Sequence, residues 1–268
     1  MQPFFLPCSV GERFCLFHPA GGKSLGAVLY LHPFAEEMNK SRRMAALQAR
    51  TLAAAGYDVL QIDLLGCGDS SGDFADASWQ AWRDDVLAGY RWLRSRSPAP
   101  LILWGLRAGC LLAAGAAADI PEAADFIFWQ PVLSGKQHWQ QFMRLKMAGE
   151  MAAGQAKAIG EQLRQTLASG QLVEIAGYGI SPALATGLEQ ADLSPPSGRH
   201  GRLIWLETSL REVASLSPAA QKGIALWQAA GYSVDARIAR GAAFWQTTEI
   251  EDAPELITAT LAALATDS

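Results

Sequence analysis

The stretch of sequence that decides the fold is Leu101-Ile102-Leu103-Trp104-Gly105-Leu106-Arg107-Ala108-Gly109-Cys110-Leu111-Leu112. It predicts a buried strand, a tight Gly-x-X-x-Gly turn and a helix of small residues. Many hydrolytic enzymes present a nucleophilic serine at the tip of such a turn. Here the tip is Arg107. A guanidinium stays protonated at any ordinary pH and cannot attack a carbonyl carbon, so the sequence predicts the fold of such enzymes without their nucleophile.

Composition is ordinary for a globular protein and is consistent with this fold. Of the 268 residues, 50% are hydrophobic and 18% are charged, and the formal net charge is −4. This balance gives no electrostatic reason to expect nucleic acid as a partner, and we interpret the charges as solvated surface.

Cysteine and histidine content favours neither metal nor cofactor binding. The four cysteines show no metal-type pairing and too low a density for a disulfide scaffold, and the four histidines are scattered. We expect free thiols, no metal and no cofactor. The N-terminus has no leader pattern, and no apolar run approaches the ~20 residues of a membrane span. We therefore expect no transmembrane segment and a cytoplasmic location.

Strand and helix patterns alternate along the chain. Strands are predicted at 14–19, 27–31, 57–63, 101–106, 124–131, 203–207 and 233–238, and helices at about 41–55, 79–94 and 254–264. Apolar strands that alternate with helices predict an α/β fold, with a mainly parallel sheet covered by helices on both faces.

One domain is expected over residues 1–268. The segment at about 139–194 differs from the rest, because it is rich in Met, Ala, Gln and Gly and carries no strong strand pattern. Two interpretations stay open: a helical cap inserted over a pocket, or two ordinary crossover helices.

Three motifs in register resemble the α/β-hydrolase superfamily. They are a strand that runs into His32-Pro33-Phe34, the loop Asp63-Leu64-Leu65-Gly66-Cys67-Gly68-Asp69-Ser70, and the turn at Arg107. The resemblance extends over nearly the whole chain. It implies the α/β-hydrolase fold, with the ligand pocket above the carboxyl ends of the strands.

A narrower resemblance rests on Leu31-His32-Pro33-Phe34-Ala35-Glu36-Glu37-Met38-Asn39-Lys40-Ser41-Arg42-Arg43-Met44 and on Phe244-Trp245-Gln246-Thr247. These segments are similar to the exosortase A system-associated hydrolase 2 family. That resemblance implies a setting beside bacterial PEP-CTERM protein-sorting and exopolysaccharide systems. The word "hydrolase" in the family's name follows the fold, and no activity is carried over.

Two of the three positions of a Ser-His-acid triad hold unsuitable residues. Arg107 stands at the nucleophile position, and no histidine follows His200, although the catalytic histidine should come after the last strand. Glu207 and Glu212 lie where the acid belongs. Because there is no histidine for them to orient, we expect these glutamates to lie at the surface or to cap a helix.

Other side chains are poor substitutes for the missing groups. We expect Cys110 to be packed as a small hydrophobe, and Cys67 to be reachable by solvent but without a basic partner. His32 is expected beside the pocket, where it orders the following loop. His138 and His200 flank the segment at 139–194, and we expect neither to be catalytic. No catalytic residue is therefore assigned.

Arg107 needs a negative partner, because a second positive charge at a helix N-terminus in a partly dry site is costly. The nearest candidates are Glu36 and Glu37. Two interpretations stay open: an internal Arg107–Glu pair that plugs the site, or a ligand carboxylate, phosphate or uronic acid held in bidentate fashion. Trp245 falls near the vacated histidine position. The pocket candidates are His32, Glu36, Glu37, Arg107 and Trp245.

The sequence thus predicts an α/β-hydrolase-fold protein with a degenerate triad. The expected function is a non-catalytic binding or interaction component of an exosortase or exopolysaccharide system, with a small acidic or acyl ligand or a protein partner. The alternative is an active esterase or thioesterase that uses non-standard residues. A scaffold with a vestigial pocket is a third hypothesis.

Overall fold

The computed structural model describes residues 1–149 and 156–265. The strands in these ranges are β1 (Gln2–Pro7), β2 (Glu12–His18), β3 (Ala27–Leu31), β4 (Asp58–Ile62), β5 (Leu101–Leu106), β6 (Ala124–Trp129), β7 (Val173–Ile175), β8 (Tyr178–Ile180), β9 (Arg202–Ser209) and β10 (Ser233–Arg240). The helices are α1 (Glu36–Ala54), α2 (Trp79–Arg94), α3 (Ala108–Ala117), α4 (Gly135–Gly149), α5 (Ala156–Ala168), α6 (Pro182–Gln190), α7 (Pro218–Ala229) and α8 (Pro254–Leu264).

Eight strands form one sheet in the order β1-β2-β4-β3-β5-β6-β9-β10. Strand β2 is antiparallel to β1 and to β4, and the other neighbouring pairs are parallel. Helices α1 and α8 pack against one face of the sheet, and α2, α3 and α7 against the other. Every residue of β3 and β5 is buried, as expected of central strands covered on both faces. The predicted fold class is confirmed.

Strand β1 was not predicted from the sequence. It pairs only with β2, so it lies at the edge of the sheet. Pro3 and Pro7 are tolerated there. Some backbone positions of an edge strand face solvent, so proline's lack of an N–H costs no hydrogen bond between strands. These prolines hide the strand pattern in the sequence.

Helix α1 begins at Glu36, five residues before the predicted start at Ser41. Neither Asn39 nor Ser41 is its N-cap, which is Ala35 with a φ of 50° and no side-chain cap bond. Glu36 and Glu37 occupy the first turn, where a negative charge is favoured by the positive helix end. This boundary places both carboxylates on a rigid element rather than in a loop.

The segment between β6 and β9 contains α4, α5, the antiparallel hairpin β7–β8 and α6. The hairpin was not predicted, because strands of three residues are too short to show a period-two pattern. Residues 150–155 of the possible cap at 139–194 lie outside the described part of the chain. We retain the cap as a proposal, supported by α4, whose Phe142 lines the cavity described below. None of the described helices combines the length and the apolarity needed to cross a membrane.

The turn between β5 and α3 depends on two glycines. A Cβ on Gly105 would lie 2.6 Å from the backbone of Cys110, and a Cβ on Gly109 would overlap the carbonyl oxygen of Leu31. The start of α3 therefore packs directly on the end of β3. The Gly-x-X-x-Gly motif is required for this packing, whatever residue stands at the tip.

Candidate functional site

Arg107 has the strained backbone conformation of the tip residue, with φ 55° and ψ −119°. Such a conformation costs an L-residue roughly 1–3 kcal/mol and persists only where the surroundings impose it. The N–H of Arg107 donates to the Trp129 carbonyl at 3.0 Å, and its own carbonyl accepts from the N–H of Cys110 at 3.1 Å. The side chain is thereby held above the carboxyl ends of the strands, at the N-terminus of α3.

Glu37 is the acidic partner of Arg107. Arg107 Nε donates to Glu37 Oε1 at 3.1 Å, and the two side chains are 17% and 11% exposed. The two Nη atoms of Arg107 make no hydrogen bond to the described residues. Burial raises the pKa of Glu37 to about 7, although the charge of Arg107 and its hydrogen bond act in the opposite direction. At neutral pH the carboxyl group is therefore divided between its charged and neutral forms.

Trp245 also contacts the guanidinium of Arg107. Its ring centroid is 5.5 Å from Arg107 Cζ, within the range of a cation–π contact. The residue follows β10 and is 4% exposed. An indole thus stands where the chain order of a triad would put the histidine. It can stabilise a cation, but its ring offers no base to take a proton.

His138 of α4 lies at the site, although it is not among the pocket candidates that the sequence predicts. Its Nε2 lies 4.0 Å from Glu37 Oε2, too far for a hydrogen bond, and its side chain is 7% exposed. Neither ring nitrogen has a hydrogen-bond partner among the described residues. Burial, together with the charge of Arg107, lowers the pKa of His138 to about 3. The imidazole is therefore neutral, with one donor and one acceptor nitrogen.

These side chains surround a cavity of about 220 Å³. Its described lining residues are Phe34, Glu36, Glu37, Lys40, Arg107, His138, Gln141, Phe142, Leu145, Trp245 and Gln246. No serine, threonine or cysteine is among these lining residues. The Oε2 atoms of Glu36 and Glu37 are also buried without a hydrogen-bond partner in the described chain. The cavity is thus rich in polar atoms and poor in nucleophiles.

His32 does not line this cavity. Its Nδ1 is 2.8 Å from the carbonyl oxygen of Pro33, and its Nε2 accepts from the N–H of Leu64 at 3.3 Å. The ring joins the loop after β3 to the glycine-rich loop after β4. It lines a separate cavity of about 210 Å³ beneath α1. Burial lowers the pKa of His32, which keeps the ring neutral in this linking role.

Neither cysteine considered as a substitute nucleophile reaches the site. The prediction that solvent reaches Cys67 is wrong, since the residue is 4% exposed. Its loop turns inward through Gly66 and Gly68, both at positive φ. Cys110 is fully buried, with Sγ 3.9 Å from the Trp129 carbonyl oxygen. Burial raises the pKa of both thiols, so neither is a ready source of thiolate.

The acid candidates have other partners or none. Glu207 Oε1 accepts from the indole N–H of Trp205 at 2.9 Å, and Glu212 is exposed. His200 is exposed as well. None of these three residues lines the cavity at Arg107. The structure therefore brings together Glu36, Glu37, Arg107 and Trp245 of the predicted pocket candidates, adds His138, and leaves His32 outside.

Comparison with solved structures places the architecture among hydrolases. A carboxyl esterase from Bacillus coagulans in complex with glycerol superposes with a TM-score of 0.60 at 12% identity, over 90% of each chain. Est1E from Butyrivibrio proteoclasticus with bound ferulic acid gives 0.58 at 13% identity, over 88% of this chain and 90% of that one. A lidless serine hydrolase from Xanthomonas campestris gives 0.55 at 14% identity, over 98% and 91%. At these identities the likeness shows the fold alone.

Sequence comparison gives a partial relative and a family. Human ABHD12B is 30% identical over 113 residues, which are 42% of this chain and 30% of the human protein. The chain thus matches less than a third of that relative's length. The family described as Hydrolase_4, serine aminopeptidase S33, matches residues 22–176, more than half of the chain and inclusive of the turn at Arg107. The chain therefore belongs to this serine aminopeptidase S33 family of the α/β-hydrolase superfamily.

Proposed function

We propose that this protein binds a small anion at Arg107 and does not hydrolyse esters by a serine-type mechanism. The observation that carries the proposal is Arg107, which stands at the nucleophile position and is paired with Glu37. Acyl transfer needs an attacking oxygen or sulfur within reach of a proton acceptor. The described lining of the cavity supplies no hydroxyl or thiol for that step.

Arg107 and Lys40 balance the carboxyl groups of Glu36 and Glu37 around the cavity, and the positive end of α3 adds a preference for an anion. Arg107 directs its Nε to Glu37, which leaves the Nη edge of the guanidinium available for a carboxylate. The first N–H groups of α3 have no acceptor within the helix, and they add positive potential at the same point. Trp245 covers one side of the guanidinium and excludes water there. A carboxylate is the ligand group that these features accommodate best.

The size of the cavity limits the ligand. A volume of about 220 Å³ equals that of roughly seven water molecules. A small acid, or the acidic end of a larger molecule, therefore fits.

We further propose that this binding role belongs to a bacterial exosortase or exopolysaccharide system, with a protein of that system as a second partner. The support is the resemblance of residues 31–44 and 244–247 to the exosortase A system-associated hydrolase 2 family. Both segments contribute to the site, through Glu36, Glu37 and Trp245. The segments that carry the resemblance are thus the ones that surround Arg107.

One observation favours a second candidate function. The pKa of Glu37, raised to about 7 by burial, suits a general base near neutral pH. In that case Glu37 would take a proton from a water molecule that attacks an ester or thioester, while Arg107 stabilises the developing negative charge. This alternative predicts turnover that depends on both residues.

Anion binding should strengthen as the pH falls. Propionate, which stays ionised above about pH 6, competes with the charged form of Glu37 for Arg107. Protonation of Glu37 removes this competition, so the affinity should rise by up to roughly tenfold per pH unit between about pH 8.5 and about pH 7, and level off below. The other charged or titratable groups that face Glu37 are Glu36, Lys40, Arg107 and His138. Titration of propionate into the protein, followed by ligand-observed NMR, measures the effect.

The matched variant for this titration is Glu37→Gln. Glutamine keeps the shape of the side chain and lacks the charge, so this variant should bind propionate at every pH with the low-pH affinity of the wild type. A wild-type affinity that does not change with pH would contradict the competition between Glu37 and the ligand. Absence of propionate binding at about pH 6 would contradict the proposed function itself.

A further inference from the structure

His138 is a buried polar group. Its ring packs edge-on against Phe34, with the ring centroids 6.0 Å apart. The two nitrogens have no hydrogen-bond partner among the described residues, and the ring lines the cavity at Arg107. A buried polar group without a partner is destabilising. The position therefore points to a hydrogen bond with a ligand.

The chemistry of the neutral ring selects the ligand group. One nitrogen donates and the other accepts, and a hydroxyl group can also do both. A carboxylate can only accept and an ammonium can only donate. Since His138 is held neutral well below physiological pH, it offers no charge to attract an anion. A hydroxyl is accordingly the group that can bond to His138 in either tautomer.

Arg107 and His138 both lie beside the carboxyl group of Glu37, at the same cavity. Arg107 Nε is 3.1 Å from one oxygen of Glu37, and His138 Nε2 is 4.0 Å from the other. The guanidinium and the imidazole thus approach opposite oxygens of one carboxyl group. A ligand with a carboxylate and a hydroxyl on adjacent carbons can reach both groups from the cavity.

We propose that the ligand is a hydroxycarboxylate, whose carboxylate is held by Arg107 and whose hydroxyl is held by His138. This rests on the proposed anion-binding function and adds the chemical class of the ligand. His138 is then the residue that determines specificity, because it distinguishes a hydroxy acid from a simple carboxylic acid of the same size.

The test compares lactate with propionate, which differ by a single hydroxyl. Each lactate enantiomer and propionate are titrated separately at about pH 6, where Glu37 is mainly protonated. The wild-type protein should bind at least one lactate enantiomer roughly 10-fold more tightly than propionate, since a buried polar group gains its partner. In His138→Phe the ratio of the two affinities should fall to about one, because the phenyl ring offers no partner for the hydroxyl.

Two controls accompany the titration. His200→Phe makes the same substitution at an exposed position and should retain the wild-type ratio. Thermal unfolding of His138→Phe should show a Tm equal to or above that of the wild type, because two buried atoms without partners are removed.

Equal binding of lactate and propionate by the wild type would overturn the inference and leave anion binding at Arg107 intact. If His138→Phe kept the wild-type ratio of lactate to propionate affinity, His138 would likewise be excluded as the group that binds the hydroxyl. Failure of both acids to bind would instead contradict the proposed function, so the two failures are distinguishable.

Discussion

Gly109→Ala is expected to destabilise the protein by about 4 kcal/mol or more, a loss large enough to unfold many domains. The added methyl group would overlap the carbonyl oxygen of Leu31 and lie 2.8 Å from that of His32. Both contacts are with backbone at the end of a central strand, so no side chain can rotate away. Urea-induced unfolding followed by circular dichroism measures the change in the free energy of unfolding.

Gly115→Ala is the matched control in the same helix. A Cβ on Gly115 would meet no atom within 4 Å, so the substitution should stabilise the protein by up to about 1 kcal/mol through helix propensity alone. If Gly109→Ala were as stable as the wild type, α3 would not pack directly on β3, and the position of Arg107 above the sheet would have to be revised.

Arg107→Met is expected to weaken propionate binding by about 100-fold. The substitution removes a charge-assisted, bidentate contact worth roughly 2–3 kcal/mol, and methionine retains most of the apolar stem. Glu37 would then lack its cationic partner and stay protonated to a higher pH, so the variant is best studied at about pH 6, where the loss of the ion pair costs least. NMR titration of propionate gives the affinity, and circular dichroism checks the fold.

The control for Arg107→Met is Arg43→Met on α1. Arg43 pairs with Asp252 at 2.7 Å, but its side chain is 57% exposed, and it does not line the cavity. This variant should bind propionate as the wild type does, because exposed ion pairs contribute little. Equal affinities in Arg107→Met and the wild type would mean that the anion binds elsewhere.

The sequence was sufficient for the central strands of the sheet and for the turn at Arg107, because both leave local signals. The apolar runs of β3 and β5 mark central strands, and the two glycines around Arg107 mark close packing of α3. The preference of Arg107 for an acidic partner followed from its charge. The structure places Glu37 in that contact, with Glu36 beside the same cavity.

The sequence was insufficient where tertiary packing decides the environment. His138 is 101 positions from Glu37 along the chain, and only the packing of α4 beside α3 brings them together. A signal was available in hindsight: His138 lies close after the strand next to the turn, directly before the segment at 139–194 that could form a cap over the pocket. Cys67 was misjudged for a similar reason, since glycine-rich polar neighbours suggested exposure while the loop folds inward.

Sequence patterns also do not predict buried ion pairs. Arg13 lies on β2 and would be interpreted from sequence as a solvated charge. In the structure its Nε donates to Asp85 Oδ1 at 2.7 Å, and both side chains are almost fully buried. The other oxygen of Asp85 accepts from the N–H of Leu65 at 2.8 Å, which fixes the glycine-rich loop. That loop thus has a structural partner that its motif did not reveal.

The most direct test of the central claim is hydrolysis of a panel of short- and medium-chain acyl esters and thioesters by the purified protein. Arg107→Ala and Glu37→Gln variants are assayed in parallel to identify contaminating hydrolases. We predict that the wild type and both variants leave every substrate at its uncatalysed rate, since no hydroxyl or thiol nucleophile is among the described residues that line the cavity. Turnover by the wild type that either variant abolishes would contradict this account and establish Glu37 and Arg107 as parts of an unorthodox hydrolase.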